Sequence, residues 1–194
     1  LYANGTRTVR GLEALALSVP PTPGESIVKR PDDENLWSLA DVFNGKGYTS
    51  EFLYGGYGYF DNMNHFFASN GYTAVDRNAI DSKDIHTENV WGVADEDLFS
   101  LVIKRMDASY AKGKPYFGHV MTTSNHRPFT FPEGRVSLPQ GRRTAAVAYT
   151  DWALGDFLKR AATKPWFKDT VFVITADHCA TSAGKTSLPV DRYH

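Results

Sequence analysis

The chain has 194 residues, 42% of them hydrophobic and 22% charged, which is enough apolar material for one folded domain and excludes a disordered segment. Its 21 basic and 22 acidic residues give a net charge of -1, which excludes the broad basic surface that nucleic acid or an acidic membrane would bind. The single cysteine, Cys179, excludes an internal disulfide framework and a cysteine-rich zinc site.

The first two predicted elements are helices. Apolar residues recur at helical spacing over residues 8–18, and the pair Pro20-Pro21 ends that helix. A second helix is predicted over residues 35–46. Gly47 follows it directly, which indicates a left-handed residue that closes the helix.

A strand is predicted over residues 49–54, and it leads into a glycine-rich loop over residues 55–59. In that loop the missing Cβ atoms permit positive φ and close approach of the backbone to a ligand. The next helix is predicted from about Asp61. Another is predicted over residues 95–111, where acidic residues face the positive end of the helix dipole.

The last predicted element is a buried strand. Residues 115–122 are predicted to form a strand and residues 144–162 the longest helix. The apolar run 171–174 is typical of a central parallel strand that is covered on both faces. Strands and helices that alternate in this way predict a single α/β domain with a largely parallel sheet over residues 1–194.

Two polar side chains directly follow the last predicted strand. Asp177 and His178 lie at its carboxyl end, where open α/β sheets bind ligands. A carboxylate beside an imidazole suits a divalent cation. For so common a dipeptide, a structural or capping role is the alternative.

The first helix begins with threonines. Residues 5–8 are Gly-Thr-Arg-Thr, so a hydroxyl lies at a helix N-terminus, where unpaired N–H groups and the dipole favour an anion or a developing alkoxide. An ordinary N-cap is the alternative for these threonines.

A third polar cluster, residues 121–129, follows the strand predicted over residues 115–122. Its His126 and Arg127 can contact a phosphate or a leaving-group oxygen, and histidine transfers protons near neutral pH. The alternative for His126 is a loop histidine bonded to the backbone.

The three clusters together resemble a known enzyme family. A Gly-Thr-X-Thr helix start, a Ser-Asn-His-X-Pro-Phe segment and a strand ending in Asp-His are similar to the lipoteichoic acid synthase family of phosphoglycerol transferases. That family belongs to the alkaline phosphatase/sulfatase superfamily, and residues 91–99 also resemble its segment before a helix. The resemblance implies an alkaline phosphatase-like three-layer sandwich, with helices on both faces of a mostly parallel sheet.

The resemblance also implies a role for each cluster. Thr8 matches the nucleophile, which is also a metal ligand, and Asp177 and His178 match two further metal ligands. His126 matches a histidine that binds the phosphoryl group, whereas His119 matches a histidine that we expect to serve packing. The implied cofactor is one divalent ion, Mn²⁺ before Mg²⁺ or Zn²⁺.

The loop after the glycines departs from the family pattern. Where the family has Phe-Trp-Asn-Arg, this chain has Phe60-Asp61-Asn62-Met63, so the phosphate-binding arginine is missing. Asp61 would repel an anionic group unless it is screened or accepts substrate hydroxyls. We therefore expect Asp61, Asn62 and Arg127 to contact a substrate that differs from that of lipoteichoic acid synthase.

The implied reaction is a double displacement. Thr8 attacks the phosphorus of a phospholipid head group, such as that of phosphatidylglycerol, and a phosphothreonine passes the group to a glycan or glycolipid acceptor. A phosphoethanolamine transferase, a phosphodiesterase and a sulfatase are the alternatives, and a non-catalytic binding domain is a distant one. The Cys-X-Pro-X-Arg motif of arylsulfatases does not occur, which argues against the sulfatase.

The resemblance places the chain in an extracytoplasmic domain of a bacterial inner-membrane protein. No run of the sequence reaches the ~18–20 apolar residues of a membrane span. We expect membrane helices, and a first strand with a further metal-binding glutamate, in the sequence that precedes this chain. By itself the chain is therefore expected to bind metal poorly and to have little activity.

Overall fold

The fold is taken from a computed structural model, which describes residues 7–20 and 22–178. The described helices are Thr8–Leu17 (α1), Leu39–Asn44 (α2), Met63–Ser69 (α3), Asp95–Ala111 (α4) and Arg143–Ala161 (α5). The described strands are Thr49–Tyr54 (β1), Thr73–Val75 (β2), Glu88–Asn89 (β3), Gly92–Val93 (β4) and Tyr116–Met121 (β5). Gly5, Thr6 and Cys179 lie outside the described residues. None of the described helices combines the length and apolar character that crossing a membrane needs.

A three-stranded parallel sheet, in the order β2-β1-β5, lies at the centre. The strands β3 and β4 form a separate antiparallel hairpin. Because the three central strands run in the same direction, the loops after Tyr54, Val75 and Met121 all leave at the carboxyl edge of the sheet.

Alternation along β1 divides its side chains between two cores. Phe52 and Tyr54 pack into a core with α1, α2 and α3, whereas Leu53 packs into a core with α4 and α5. Helices therefore cover both faces of the sheet, and the predicted α/β sandwich is confirmed.

Two predicted helices begin later than expected. The helix predicted over residues 35–46 starts at Leu39, because Asn35 has a φ of 56° and Ser38 then forms a capping box with Asp41. The helix predicted from Asp61 starts at Met63. Asp61 and Asn62 have φ angles of 51° and 61°, and this left-handed backbone cannot continue an α-helix.

The run 171–174 is not a central strand in the part of the chain that the structure describes. Val171, Val173 and Ile174 are 87%, 83% and 63% exposed, and Phe172 alone of this run packs against the core with α4 and α5. The prediction was wrong for these residues, because the apolar run indicates burial but no described strand pairs with it. β5 also has a single neighbour, β1, among the described strands.

Candidate active site

The first helix lies against the Asp177-His178 segment. A Cβ atom added to Gly11 would overlap the Asp177 carbonyl group and come within 2.9 Å of its Cα atom, so the two backbones are in contact. Thr8 lies about one turn before Gly11 on the same face of α1. The structure therefore brings the start of α1 and the acid–imidazole pair to one place.

Thr8 is the first helical residue, and Arg7 is the N-cap. Arg7 has extended backbone and makes no side-chain capping bond, so the capping alternative does not describe Thr8. The first turn of α1 contains no acidic residue that would balance the helix dipole. An anion beside the half-buried Thr8 is thus favoured by unpaired N–H groups.

Asp177 and His178 are both half-buried and contact each other. The Asp177 Oδ1 atom accepts a hydrogen bond from the His178 backbone N–H at 3.0 Å, and its Oδ2 atom lies 3.5 Å from His178 Nε2. The described residues contain no group of three His, Cys, Asp or Glu side chains arranged to hold a metal. A hydroxyl, a carboxylate and an imidazole are nevertheless groups that suit a divalent ion, and Thr8, Asp177 and His178 are the residues that would hold one.

The loop after β5 presents His126 and Arg127 to solvent. His126 Nδ1 lies 3.0 Å from the Arg127 carbonyl oxygen. Because a carbonyl oxygen only accepts, Nδ1 carries the proton, and Nε2 is the atom of the neutral ring that can accept one. His126 therefore makes the backbone hydrogen bond expected of a loop histidine, and its Nε2 atom can still accept a proton.

A buried carboxylate holds this loop in position. Asp95, at the start of α4, accepts hydrogen bonds from the backbone N–H groups of Thr123 at 3.1 Å and Ser124 at 2.9 Å, and from the Thr150 hydroxyl at 3.0 Å. Burial raises the pKa of Asp95, and these hydrogen bonds oppose the rise. Asp95 is not among the predicted site residues, although an acidic residue that opens a helix was a signal in the sequence.

The glycine-rich loop is packed differently from the prediction. Gly55, Gly56 and Gly58 do not have positive φ, so the loop does not use the conformational freedom that glycine permits. The space beside Gly56 is filled by the Trp91 carbonyl oxygen and the Tyr54 ring, and the space beside Gly58 by the Asn64 side chain. The missing Cβ atoms therefore admit neighbouring parts of the protein.

Asp61 and Asn62 contact the segment around residues 28–33. Asp61 Oδ1 lies 3.0 Å from Lys29 Nζ. The Asp61 carboxylate is therefore paired with a cation, which the sequence alone did not indicate. The Asn62 amide nitrogen donates to the Val28 carbonyl oxygen at 3.1 Å and to Asp33 Oδ2 at 2.9 Å. That nitrogen is thus engaged within the protein.

An aromatic side chain outside the predicted site residues lies next to His126. The Trp91 ring, in the turn between β3 and β4, has its centroid 3.9 Å from that of His126, with the planes at 45°. The Phe60 ring meets Trp91 edge-on at 5.3 Å. The three rings come from three loops, so their spacing in the sequence carried no signal.

His119 packs between rings, as the sequence analysis expected. Phe52, Phe67 and Tyr72 surround it with ring centroids 5.4 to 6.1 Å away. Although part of the side chain remains accessible, burial among these rings lowers the pKa of His119 to about 4.

A surface depression of about 410 Å³ lies elsewhere. It is lined in part by Trp37, Asp41 and Gly71. Gly71 precedes β2, so the depression is at the amino edge of the sheet, opposite the carboxyl edge from which His126 follows β5. None of the predicted site residues lines it.

Comparison with known proteins gives a family match over nearly the whole chain. The family model described as Sulfatase matches residues 1–192. Phosphoglycerol transferase I of Salmonella choleraesuis (strain SC-B67) is 24% identical over 160 residues, which are 73% of this chain and 20% of that protein. The chain thus spans about a fifth of the length of this curated relative.

Two solved structures are similar to the fold. A protein in the alkaline phosphatase superfamily from Vibrio parahaemolyticus superposes with a TM-score of 0.91 and 35% identity, over 100% of this chain and 48% of that chain. The lipoteichoic acid synthase LtaP from Listeria monocytogenes superposes with a TM-score of 0.72 and 19% identity, over 83% of this chain and 41% of that chain. At 19% identity, the second likeness concerns the fold alone.

Proposed function

Since the chain belongs to the Sulfatase family, we propose that it is the catalytic part of a metal-dependent transferase that moves a phosphoglycerol group, or a similar phosphoester, from a phospholipid to an envelope glycan or lipid. The observation that carries the proposal is the contact between Gly11 of α1 and the backbone of Asp177. It supports a site in which a hydroxyl at a helix N-terminus acts together with a carboxylate and an imidazole. These are the groups that activation of a threonine requires.

In this proposal Thr8 is the nucleophile, and Asp177 and His178 hold one divalent ion together with it. The ion, Mn²⁺ before Mg²⁺ or Zn²⁺, supplies a Lewis acid that favours the ionised hydroxyl and balances phosphoryl charge. The first backbone N–H groups of α1 add a second source of positive potential behind Thr8. The absence of an acidic residue from that first turn supports this role.

The reaction has two steps with the same bond exchange. The Thr8 hydroxyl gives its proton to His126 Nε2, and Oγ1 bonds to phosphorus while the bond from phosphorus to the diacylglycerol oxygen breaks; the protonated His126 binds the phosphoryl oxygens or gives that proton to the leaving oxygen. The acceptor hydroxyl then attacks the phosphothreonine and breaks its bond from phosphorus to Oγ1. The proton of the acceptor hydroxyl reaches Oγ1 through His126, so the enzyme ends as it began.

Phosphatidylglycerol is the proposed donor. Phosphoglycerol transferase I, the name of the curated relative, supports a glyceryl group, and the Lys29–Asp61 pair supports a polyol because it offers a donor and an acceptor to hydroxyl groups. His126, Arg127, Asp61 and Asn62 are the proposed substrate contacts. The acceptor is a glycan or glycolipid of the cell envelope.

We place the reaction on the outer side of a bacterial inner membrane, within a longer protein. A further strand in that protein, with a metal-binding glutamate, would complete the ligand set. The exposed run 171–174 and the second edge of β5, which no described strand covers, support such a strand, since they offer apolar side chains and unpaired backbone groups.

Transfer from a labelled lipid tests the proposal. The intact protein with Mn²⁺ is incubated with vesicles that contain phosphatidylglycerol labelled in its glyceryl head group, and parallel vesicles contain labelled phosphatidylethanolamine. We expect label to leave phosphatidylglycerol with release of diacylglycerol, and the variant Thr8→Ala to stop it.

The matched control is Thr163→Ala, an exposed threonine after α5, which should transfer at the original rate. Transfer from phosphatidylethanolamine alone would replace the phosphoglycerol assignment with phosphoethanolamine transfer. Undiminished transfer by Thr8→Ala would refute the assigned nucleophile.

A further inference from the structure

Three rings form a small aromatic surface beside the proposed phosphoryl site. The centroid of the Trp91 ring lies 3.9 Å from that of His126 and 5.3 Å from that of Phe60, which Trp91 meets edge-on. Phe60 is 40% exposed, His126 is exposed, and Trp91 is half-buried. Large aromatic groups left partly open beside polar groups are typical of binding surfaces.

The backbone under Trp91 is fixed by close packing. A Cβ atom on Gly92 would overlap the Gly55 carbonyl group, and one on Gly56 would overlap the Trp91 carbonyl oxygen. The Val93 N–H also donates to the Gly55 carbonyl oxygen at 2.9 Å. Such direct contact between two backbones leaves the turn little freedom, so the Trp91 ring is held in place before any ligand arrives.

The other side of the turn is attached to the segment that follows His126. Asn89 Nδ2 donates to the Thr130 hydroxyl at 2.9 Å, and Asn89 Oδ1 accepts from the Trp91 N–H at 2.8 Å. Thr123 Oγ1 donates to the Val93 carbonyl oxygen at 2.8 Å. Trp91 and His126 are therefore supported by one connected set of hydrogen bonds.

We propose that Trp91 is a specificity-determining residue, whose ring face holds the carbon skeleton of the small polyol that is esterified to the phosphoryl group at His126. The inference rests on the proposed function, because it takes His126 as the phosphoryl contact. A ligand whose phosphate lies at His126 has its adjoining carbon atoms within reach of Trp91. Inorganic phosphate has no such atoms, so Trp91 should distinguish the two.

An ion pair close to Phe60 suits a hydroxylated skeleton. Asp61 follows Phe60 directly, and its carboxylate is paired with Lys29 at 3.0 Å. The pair presents both a donor and an acceptor to hydroxyl groups. An apolar ring face beside such a pair suits C–H groups that alternate with hydroxyls.

Binding to the intact protein tests the proposal, with sn-glycerol 3-phosphate and inorganic phosphate as the two probes in calorimetric titrations. We expect Trp91→Ala to weaken glycerol phosphate binding by about tenfold, equivalent to about 1.4 kcal/mol, and to leave phosphate binding unchanged. Trp91→Phe should recover most of the loss. Trp37→Phe, an exposed tryptophan at the opposite edge of the sheet, should change neither affinity.

A second measurement follows the unmodified protein and needs a variant only to assign one resonance. The tryptophans of the unmodified protein are replaced by 5-fluorotryptophan, and the fluorine resonance of Trp91 is identified as the one missing from Trp91→Phe. Glycerol phosphate should shift this resonance, whereas inorganic phosphate should not. A resonance that stays in place at saturating glycerol phosphate would overturn the proposal.

The outcomes also separate this proposal from the proposed function. Equal weakening of both probes by Trp91→Ala would mean that Trp91 only supports His126, and an unchanged preference would remove Trp91 from the site; either result overturns the inference. If lipid transfer is still abolished by Thr8→Ala in those cases, the proposed function stands. If neither probe binds and no lipid is turned over, the proposed function itself fails.

Discussion

Asp95 and Ser124 are joined by two hydrogen bonds that run in opposite directions. The Asp95 carboxylate accepts from the Ser124 backbone N–H at 2.9 Å, and the Ser124 hydroxyl accepts from the Asp95 backbone N–H at 3.0 Å. The start of α4 and the loop after β5 therefore cap each other. Since His126 follows two residues later, the position of the proposed phosphoryl contact depends on a residue that touches no substrate.

Asp95→Ala should lower the free energy of unfolding by about 3 kcal/mol, because it leaves buried N–H groups of Thr123 and Ser124 without an acceptor. Asp95→Asn should cost far less, since its amide oxygen still accepts and the Thr150 hydroxyl can accept from its nitrogen. Urea denaturation measures both. Asp156→Asn, which changes a partly exposed pair with Arg160, is the control and should be near neutral. Equal stability of the alanine and asparagine variants would contradict this account.

Gly11→Ala should destabilise the protein and weaken metal-dependent transfer, because its methyl group would displace the backbone of Asp177. The matched control is Gly155→Ala in α5, where an added Cβ atom has nothing within 4 Å. That change should stabilise the protein by about 0.5 to 1 kcal/mol through helix propensity. Thermal unfolding and the transfer assay test the pair. Similar gains in stability at both glycines would remove the contact on which the proposed site rests.

Arg105→Met should cost about 3 to 5 kcal/mol of unfolding free energy, because it leaves the buried Glu51 carboxylate of β1 without its cation. Lys104→Met, one residue earlier on α4, removes an exposed pair with Asp84 and should cost about 1 kcal/mol or less. Denaturant titration compares the two.

The double variant Glu51→Gln with Arg105→Met should recover part of the loss, since no unpaired charge is then buried. No recovery in the double variant would mean that the arginine acts mainly through its packing with β1 and not through its charge.

His119 should make the protein less stable in acid. The pKa of His119 falls from 6.5 to about 4 on folding, so between those values the unfolded chain binds more protons. The free energy of unfolding should therefore decrease as the pH falls below about 6.5, by at most about 3 kcal/mol from this residue.

His119→Phe should reduce the difference in unfolding free energy between pH 7 and pH 4.5, as measured by denaturant titration. Tyr72→Phe changes a neighbouring ring but retains the histidine, and it should keep the full difference. A His119→Phe protein with the original pH dependence would show that other groups cause the acid loss.

Sequence reasoning predicted the elements whose periodicity is local. The predicted bounds of β1 and α4 match the observed Thr49–Tyr54 and Asp95–Ala111, because alternation and helical spacing are set within each segment. The start of α3 could not be predicted in that way. Two consecutive left-handed residues, Asp61 and Asn62, depend on contacts with Lys29, Val28 and Asp33, which lie far away in the sequence.

The residues of the candidate site also differ in whether a local sequence signal indicates them. Thr8, Asp177 and His126 could be proposed from the sequence because each follows or opens a predicted strand or helix, where ligand-binding groups concentrate, and their roles stay predictions. Trp91 and Asp95 could not be proposed in that way, because their contacts are with residues far away in the sequence. The prediction of a strand over residues 171–174 was wrong for a related reason. Apolar composition indicates that side chains will be buried, but it does not show which strand pairs with the segment.

The paired left-handed residues Asp61 and Asn62 also limit how the proposed substrate site can change in evolution. Few side chains other than Asn, Asp and Gly tolerate that backbone, so most mutations there would disturb the loop before they altered recognition. Divergence toward new head groups would have to come through neighbours with ordinary backbone. Substitutions at Phe60 and its surroundings would then change which ligand the site binds, while the turn itself stayed the same.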